Sequence, residues 1–277
     1  MFAKGAKRPV FFVSDSTGVT AETLGHALLT QFEGLEYQGT TLPFADNVAK
    51  IKAAMVQINR AAAERGLRPI VFATLAEPML YEMLISSNAF VLDVFNVFLP
   101  PLEAELSRRS SHASGRSHAM ASKVEYDSRI GAINFAMQHD DGASTRYYQD
   151  ADLVLIGVSR SGKTPTCLYL ALQFAVHAAN YPITEEDVGK LSLPVFLKPV
   201  KDRIYGLTID PQRLHQIRTK RLPGSQYASL AQCQKEVQGA ERLFADEAIP
   251  YLSTTTISIE EIGSRILQAL GIKRRLF

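Results

Sequence analysis

Short apolar runs alternate with amphipathic stretches along the first hundred residues. Runs of β-branched, aromatic and aliphatic residues predict buried strands, at 10–13, 40–44, 69–73 and 89–94. Between them, apolar residues recur at helical spacing, over about 21–32, 46–66 and 77–86. Strands that alternate with helices need crossover connections. The first part is therefore predicted to be an α/β domain with an open, mainly parallel sheet.

The regular pattern stops at residues 107–125, which we interpret as a linker or mobile loop. Residues 107–123 read SRRSSHASGRSHAMASK and have no apolar period. His112 and His118 are candidate metal ligands, but no third ligand is near, and a solvated segment is the plainer interpretation. The predicted parts are 1–106, this linker and 126–277.

A second α/β pattern follows the linker. Strands are predicted at 153–158, 205–209 and 250–253. Helices are predicted at 126–139, 163–178, 211–221, 229–245 and 259–270. No repeat is visible between the two halves of the sequence.

The second part carries a phosphate-binding loop. The pattern G-x-x-x-x-G-K-[ST] is matched at every fixed position by Gly157, Val158, Ser159, Arg160, Ser161, Gly162, Lys163 and Thr164. An apolar strand precedes it and an apolar helix follows it, as the motif requires. The glycines let backbone N–H groups turn towards phosphates at a helix N-terminus. Lys163 can reach the terminal phosphates, and the Thr164 hydroxyl can hold Mg²⁺.

The rest of the chain narrows the class of phosphate-loop protein. A GTPase would carry N-K-x-D after the loop, and none is present. A motor or AAA-type ATPase would be longer. A small kinase-like domain remains, in which positioning and charge stabilisation do most of the catalysis.

Asp210 ends a predicted strand and has two interpretations. It can be a magnesium partner, as the carboxylate after such a strand is in many phosphate-loop proteins. It can equally be the N-cap of the helix that begins at Pro211. Arg218, Lys220 and Arg221 on that helix fit either lid arginines and lysines or a solvated basic face.

Two acidic turns are further candidates for catalysis. Asp15 lies in the turn Ser14–Gly18, where a strand passes into a helix and open α/β sheets bind ligands; a plain capping turn is the alternative. Asp140 and Asp141 lie at the C-terminal end of a predicted helix, where the helix dipole disfavours negative charge. Such a placement favours a functional role, in Mg²⁺ binding or in activation of an attacking hydroxyl.

Composition excludes several other classes. The net charge of +2 gives no basic surface for nucleic acid. The two cysteines, Cys167 and Cys233, have no metal-like spacing and are expected to be free thiols. No apolar stretch reaches the length of a membrane span or a signal segment, so we expect a cytoplasmic protein.

Several segments together resemble one family, the regulatory proteins of pyruvate, phosphate dikinase and phosphoenolpyruvate synthase. The matching segments are VSDSTGVTAETLGHA (13–27), TLPF (41–44), YDSRIGAINFAMQHDDG (126–142), GVSRSGKTPTCLYLALQF (157–174), NYP (180–182), LKP (197–199), GLTIDPQRL (206–214) and YASL (227–230). The motifs look more like the phosphoenolpyruvate synthase branch.

The resemblance implies a bifunctional enzyme. Its kinase activity would use ADP to phosphorylate and inactivate a threonine of phosphoenolpyruvate synthase. Its phosphorylase activity would use inorganic phosphate to remove that group as pyrophosphate. The loop 157–164 matches the ADP-binding motif of the family, and Asp140 or Asp141 would accept the hydroxyl proton.

Two other functions stay open from the residues alone. One is an ATP-dependent small-molecule kinase with an enclosed acceptor pocket. The other is a nucleotide sensor without catalysis. A homodimer is an expectation without a sequence signal.

Overall fold

The chain forms two compact units, residues 1–119 and 120–277. The structure, a computed structural model, describes residues 7–111, 113, 123–190 and 192–273. His112 and His118 lie outside the described residues, as does much of the predicted linker, so the linker boundaries stay a prediction.

The N-terminal unit is built on four parallel strands. Its elements are β1 (Arg8–Ser14), α1 (Val19–Leu29), β2 (Tyr37–Leu42), α2 (Val48–Arg65), β3 (Ile70–Thr74), α3 (Pro78–Leu84), β4 (Phe90–Asp93) and α4 (Val94–Leu106). The strand order is β2-β1-β3-β4, and every pair is parallel. Alternate residues of β1 face opposite sides of the sheet: Phe12 packs with α1, while Phe11 packs with α2 and α3. Helices therefore cover both faces of the sheet.

The C-terminal unit repeats this architecture. Its elements are α5 (Lys123–Gln138), β5 (Leu153–Gly157), α6 (Lys163–Phe174), β6 (Ala178–Pro182), α7 (Glu185–Lys190), β7 (Ile204–Thr208), α8 (Pro211–Arg221), α9 (Leu230–Asp246), β8 (Tyr251–Ser253) and α10 (Ile259–Ala269). Four short 3-10 segments span Asp140–Gly142, Tyr148–Asp150, Val195–Arg203 and Gln226–Ala228. The strand order is β6-β5-β7-β8, again parallel throughout.

Strand β5 is fully buried because helices cover both sides of it. Leu153 and Leu155 pack against α5, α6 and α10 on one face, and Val154 and Ile156 pack with residues of α8 and α9 on the other. This confirms the predicted α/β class with one parallel sheet in each half of the chain. It also fixes the carboxyl end of β5, where the phosphate loop begins.

The two units share a strand order that the sequence did not reveal. In each unit the first strand of the chain, β1 or β5, lies next to the edge strand of its sheet. It is followed by a turn and then a helix. That helix has a glycine in the left-handed conformation at its N-cap, Gly18 (φ 85°) in α1 and Gly162 (φ 93°) in α6. The topology therefore repeats, although the side chains that carry chemistry do not.

Some predicted boundaries were wrong. The helix after the phosphate loop ends at Phe174 rather than Ala178, because Ala175 adopts a left-handed conformation (φ 50°) and ends it. Residues 178–182 then form β6, a strand that the pattern did not predict. Helix α4 was also missed, because Pro100 and Pro101 lie inside it and argue against a helix.

Gly206 in β7 provides a test of this packing. A Cβ atom there would lie 2.8 Å from the Cβ of Tyr251 and 2.9 Å from the Phe244 ring. We expect Gly206→Ala to destabilise the fold by about 1–3 kcal/mol through overpacking, seen as a lower urea midpoint. Gly189, in α7 with open space around it, is the matched control, and Gly189→Ala should be neutral or stabilising. An unchanged midpoint for Gly206→Ala would contradict the packing described.

Candidate functional site

The loop of residues 157–164 connects the buried strand β5 to α6. Gly157 begins it with φ 157°, and a Cβ atom there would lie 2.1 Å from the carbonyl oxygen of Leu207 in β7. Only glycine permits this close approach between the loop and the neighbouring strand. The first glycine of the motif is thus required by backbone packing.

The carbonyl groups of the loop are held by the surrounding protein. The carbonyl of Gly157 accepts from the amide of Ile183 (3.1 Å), and that of Ser159 from the guanidinium of Arg218 (3.1 Å). The carbonyl of Ser161 accepts from the Thr254 hydroxyl at 3.0 Å. These three contacts come from different parts of the unit, and they orient the peptide groups of the loop.

Three amide groups of the loop have no protein partner among the described residues, whereas that of Ser161 donates to the carbonyl of Val158 at 3.2 Å. Within the described part of the chain, the N–H groups of Ser159, Arg160 and Gly162 meet no acceptor, and the buried Ser161 hydroxyl has no partner. Arg160 (φ 76°) and Gly162 are both left-handed, and such conformations turn successive N–H groups into an anion-binding nest. Buried polar groups are normally satisfied, so these donors fit the phosphate groups that the motif predicts.

Lys163 lies at the first position of α6 and is almost completely buried. Its ammonium group donates to the carbonyl of Val158 at 3.0 Å. Burial lowers the pKa of Lys163 to about 8, and the nearby Asp141 and Asp140 oppose this shift. A desolvated cation without a full counter-ion is well suited to binding an added anion.

The acidic turn, Asp140–Gly142, follows α5 and faces the loop. The Oδ1 atom of Asp140 accepts from the Thr164 hydroxyl at 2.7 Å. Asp141 has a left-handed backbone (φ 47°), which costs a non-glycine residue some energy. The structure therefore brings the predicted acidic turn directly to the predicted phosphate loop.

Asn180 in β6 holds the acidic turn in place, and sequence reasoning missed it. Its amide nitrogen donates to Oδ1 of Asp140 (2.7 Å), and its amide oxygen accepts from the backbone N–H of Asp141 (3.0 Å). Asn180 is fully buried. A single asparagine thus fixes both acidic residues, and the only signal for it in the sequence was the NYP segment of the family resemblance.

A cleft of about 490 Å³ opens over the loop. It is lined by Asp141, Ser159, Arg160, Gly162, Lys163, Thr164, Pro165, Arg221, Leu222 and Tyr227. The volume and the basic lining suit a phosphorylated ligand. Lys163 and Arg221 supply positive charge and Asp141 supplies a carboxylate.

Arg218, one of the basic residues on α8, has a structural role. It is fully buried, pairs with Glu236 at 2.6 Å and lies over the Tyr227 ring. Its contact with the carbonyl of Ser159 braces the loop, so it is not a mobile lid arginine.

Asp210 is the N-cap of α8, one of its two predicted roles. Its side chain accepts from the amide of Arg213 at 2.8 Å, and its own N–H donates to Thr255. This contact accounts for Asp210 structurally, while its role as a metal ligand stays a prediction.

Asp15 lies in the N-terminal unit, after β1. Its carboxylate accepts from the backbone N–H of Ala76 at 2.7 Å and so connects the turn after β1 to the one after β3. Its catalytic role also stays a prediction.

Neither a metal cluster of protein side chains nor a membrane-spanning helix occurs among the described residues. No three His, Cys, Asp or Glu side chains there lie together as a metal cluster. Nor is any helix there long and apolar enough to cross a membrane.

Comparison with known proteins identifies the family. A model of the kinase/pyrophosphorylase family matches residues 10–267. The chain belongs to this family. The match spans both units, and it supports a phosphotransferase activity.

Curated relatives match the chain over nearly its whole length. A protein of Stutzerimonas stutzeri (strain A1501) is 52% identical over 270 residues, which cover 98% of this chain and 99% of the relative. Proteins of Pseudomonas fluorescens (strain Pf0-1) and Marinobacter nauticus are 51% and 50% identical, each covering 97% of this chain and 99% of the relative. All three relatives are provisionally named phosphoenolpyruvate synthase regulatory proteins.

The buried Lys163 predicts a pH dependence of stability. Its pKa is about 8 in the folded protein, against 10.5 ordinarily, so between these values the unfolded chain binds a proton that the folded protein does not. Stability should therefore rise with pH across this window, and the cost of the buried charge is fully present below pH 8. We expect Lys163→Met to stabilise the nucleotide-free protein at pH 7 by about 1–3 kcal/mol, and by less at pH 9.5.

Urea unfolding at the two pH values measures this difference. Lys220→Met, at an exposed position of α8, is the matched control and should show no such dependence. A Lys163→Met protein less stable than the wild type at pH 7 would contradict the burial argument.

Proposed function

We propose that the protein is an ADP-dependent threonine kinase and a phosphate-dependent phosphorylase that regulates phosphoenolpyruvate synthase. The observation that carries the proposal is the loop 157–164 in a chain of the kinase/pyrophosphorylase family. Three of its carbonyls are held by the protein, and three of its amides, those of Ser159, Arg160 and Gly162, are unpaired within the described residues. The names of the relatives supply the target enzyme. The ADP dependence and the threonine acceptor come from the family resemblance.

In the kinase direction, a threonine hydroxyl of the target attacks the β-phosphorus of ADP. The new bond joins that phosphorus to the threonine oxygen, the bond to the bridging oxygen breaks, and AMP leaves. The loop amides and Lys163 bind the β-phosphate and stabilise the charge that develops on its oxygens. The proton of the hydroxyl passes to a carboxylate in the cleft.

Asp141 is the better placed of the two turn carboxylates to accept this proton. Its residue lines the cleft, and it is exposed. Asp140 is half-buried and engaged by Thr164 and Asn180. A proton acceptor must reach the attacking hydroxyl directly or through one water, which favours the residue that faces the cleft.

In the phosphorylase direction, an oxygen of inorganic phosphate attacks the phosphorus of phosphothreonine. The bond from phosphorus to the threonine oxygen breaks, pyrophosphate forms, and the threonine oxygen takes up a proton. Both directions transfer one phosphoryl group between a protein oxygen and a phosphate oxygen. The same amides, lysine and carboxylate therefore serve both reactions.

Mg²⁺ fits the donors present. Phosphoryl transfer ordinarily uses this ion, which takes oxygen ligands and is bound by one or two protein groups together with substrate phosphates. The Thr164 hydroxyl and a neighbouring carboxylate are such groups. When bound, the ion would neutralise phosphate charge.

Label transfer tests the proposal. The protein would be incubated with phosphoenolpyruvate synthase and either β-labelled ADP or γ-labelled ATP, and peptide mapping would locate the label. We expect label on a target threonine from ADP but not from ATP, and its release as pyrophosphate when phosphate is added. Lys163→Met should reduce the transfer at least a hundredfold, because the loop loses its cation.

Lys52→Met, at an exposed position of α2 outside the cleft lining, is the control and should transfer label at the wild-type rate. Label that comes from ATP alone would overturn the ADP assignment. No label on the protein, with nucleotide consumed in the presence of metabolites, would favour the small-molecule kinase.

A further inference from the structure

The two carboxylates of the acidic turn have different surroundings. Both lone pairs of Asp140 Oδ1 are used, because this atom accepts from the Thr164 hydroxyl and from the Asn180 amide, each at 2.7 Å. The side chain of Asp141 takes part in no hydrogen bond or ion pair with the described residues, and only its backbone N–H is held. The turn therefore directs one carboxylate to the phosphate loop and leaves the other in the cleft.

The hydrogen bond from Thr164 has a consequence for metal binding. The hydroxyl gives its single hydrogen to Asp140, so its oxygen lone pairs are directed elsewhere. An oxygen oriented in this way can bind a cation while Asp140 fixes its direction and adds negative charge beside it. Asn180 is fully buried and prevents the carboxylate from turning away.

We propose that Asp140, and not Asp210, is the carboxylate of a divalent-cation site formed with Thr164 at the phosphate loop. The proposal rests on the nucleotide site of the proposed function. It differs from the usual arrangement for such loops, in which the acid follows a strand later in the sequence, because here the acid precedes the loop. The ligand class is a hard divalent cation of the Mg²⁺ type, completed by nucleotide phosphate and water.

Three features of the site support this assignment. The loop has unpaired amides for the phosphates that would share the cation. The buried Ser161 hydroxyl in the same loop has no hydrogen-bond partner among the described residues. The carboxylate of Asp210, by contrast, accepts from the amide of Arg213 as the N-cap of α8 and makes no hydrogen bond to the loop 157–164 within the described residues.

Binding of Mn²⁺ provides a test that needs no protein substrate. The probe is Mn²⁺ in a ternary complex with ADP, and the enhancement of water-proton relaxation by protein-bound Mn²⁺, measured against Mn²⁺ with ADP alone, gives its dissociation constant. We expect Asp140→Asn to raise this constant about tenfold to a hundredfold. The affinity for ADP without metal, measured by calorimetry in chelator, should change less than about threefold, because the loop amides stay in place.

Two variants serve as matched controls. Asp246→Asn removes an exposed carboxylate at the end of α9, outside the cleft lining, and Asp210→Ser removes the rival carboxylate but retains an N-cap side chain. Both should bind Mn²⁺ as the wild type does. Circular dichroism and urea unfolding of all three variants would confirm that the fold is intact.

Several results would overturn the assignment. They are a wild-type Mn²⁺ affinity in Asp140→Asn, a large loss in Asp210→Ser, and the absence of a protein-bound Mn²⁺ in the wild-type complex with ADP. Failure of label transfer to phosphoenolpyruvate synthase would overturn the proposed target instead. The Mn²⁺ measurement would still decide the metal site, because it requires only ADP and the protein.

Discussion

The structure of the candidate site depends on the fixation of the phosphate-loop carbonyls. A peptide group has two polar ends, so a loop whose carbonyls bond to the protein presents its amides on the other side. Arg218, Thr254 and the amide of Ile183 supply these bonds from α8, the residue after β8 and the segment after β6. Since each comes from a different element, the loop conformation requires the whole C-terminal unit to be folded.

The charges around the loop follow from the same constraint. Lys163 is buried beside the loop, and desolvation there lowers its pKa. Among the described residues, its ammonium group has no carboxylate in direct contact that would balance its charge. The acidic turn lies opposite, held by Asn180, and adds carboxylates without forming a direct ion pair with the lysine. The C-terminal unit folds with Lys163 buried and without a direct ion pair to the described residues. A bound anion would supply the negative charge that this lysine lacks.

The sequence predicted the strand–loop–helix conformation around residues 157–164 well, because eight consecutive residues encode the loop. The glycines, the lysine and the flanking strand and helix are local features, and the α/β class follows from local periodicity as well. The residues that brace the site were missed, because their contacts span long distances along the chain. Asn180 and Asp140 are 40 positions apart, and Thr254 and Ser161 are 93 apart.

Strand β6 was missed for an equally physical reason, and the sequence left the roles of Asp210 and Asp15 open. Strand β6 reads AANYP, which has little β-branched character, and its neighbours in the sheet decide its conformation. In the sequence, Asp210 fits both a magnesium-binding carboxylate after a strand and a helix N-cap. Only the position of the Arg213 amide in the structure shows that it caps α8. Asp15 resembled a catalytic acid at a sheet edge, and its contact with Ala76 provides a structural reason for its presence.

The central claim is that the loop amides bind the nucleotide phosphates. Amide chemical shifts in ¹⁵N-labelled protein, recorded while ADP is added, test it most directly. We expect the largest shifts at Ser159, Arg160 and Gly162, whose N–H groups have no acceptor among the described residues. Unchanged shifts at these three amides, with the changes located elsewhere in the chain, would contradict it.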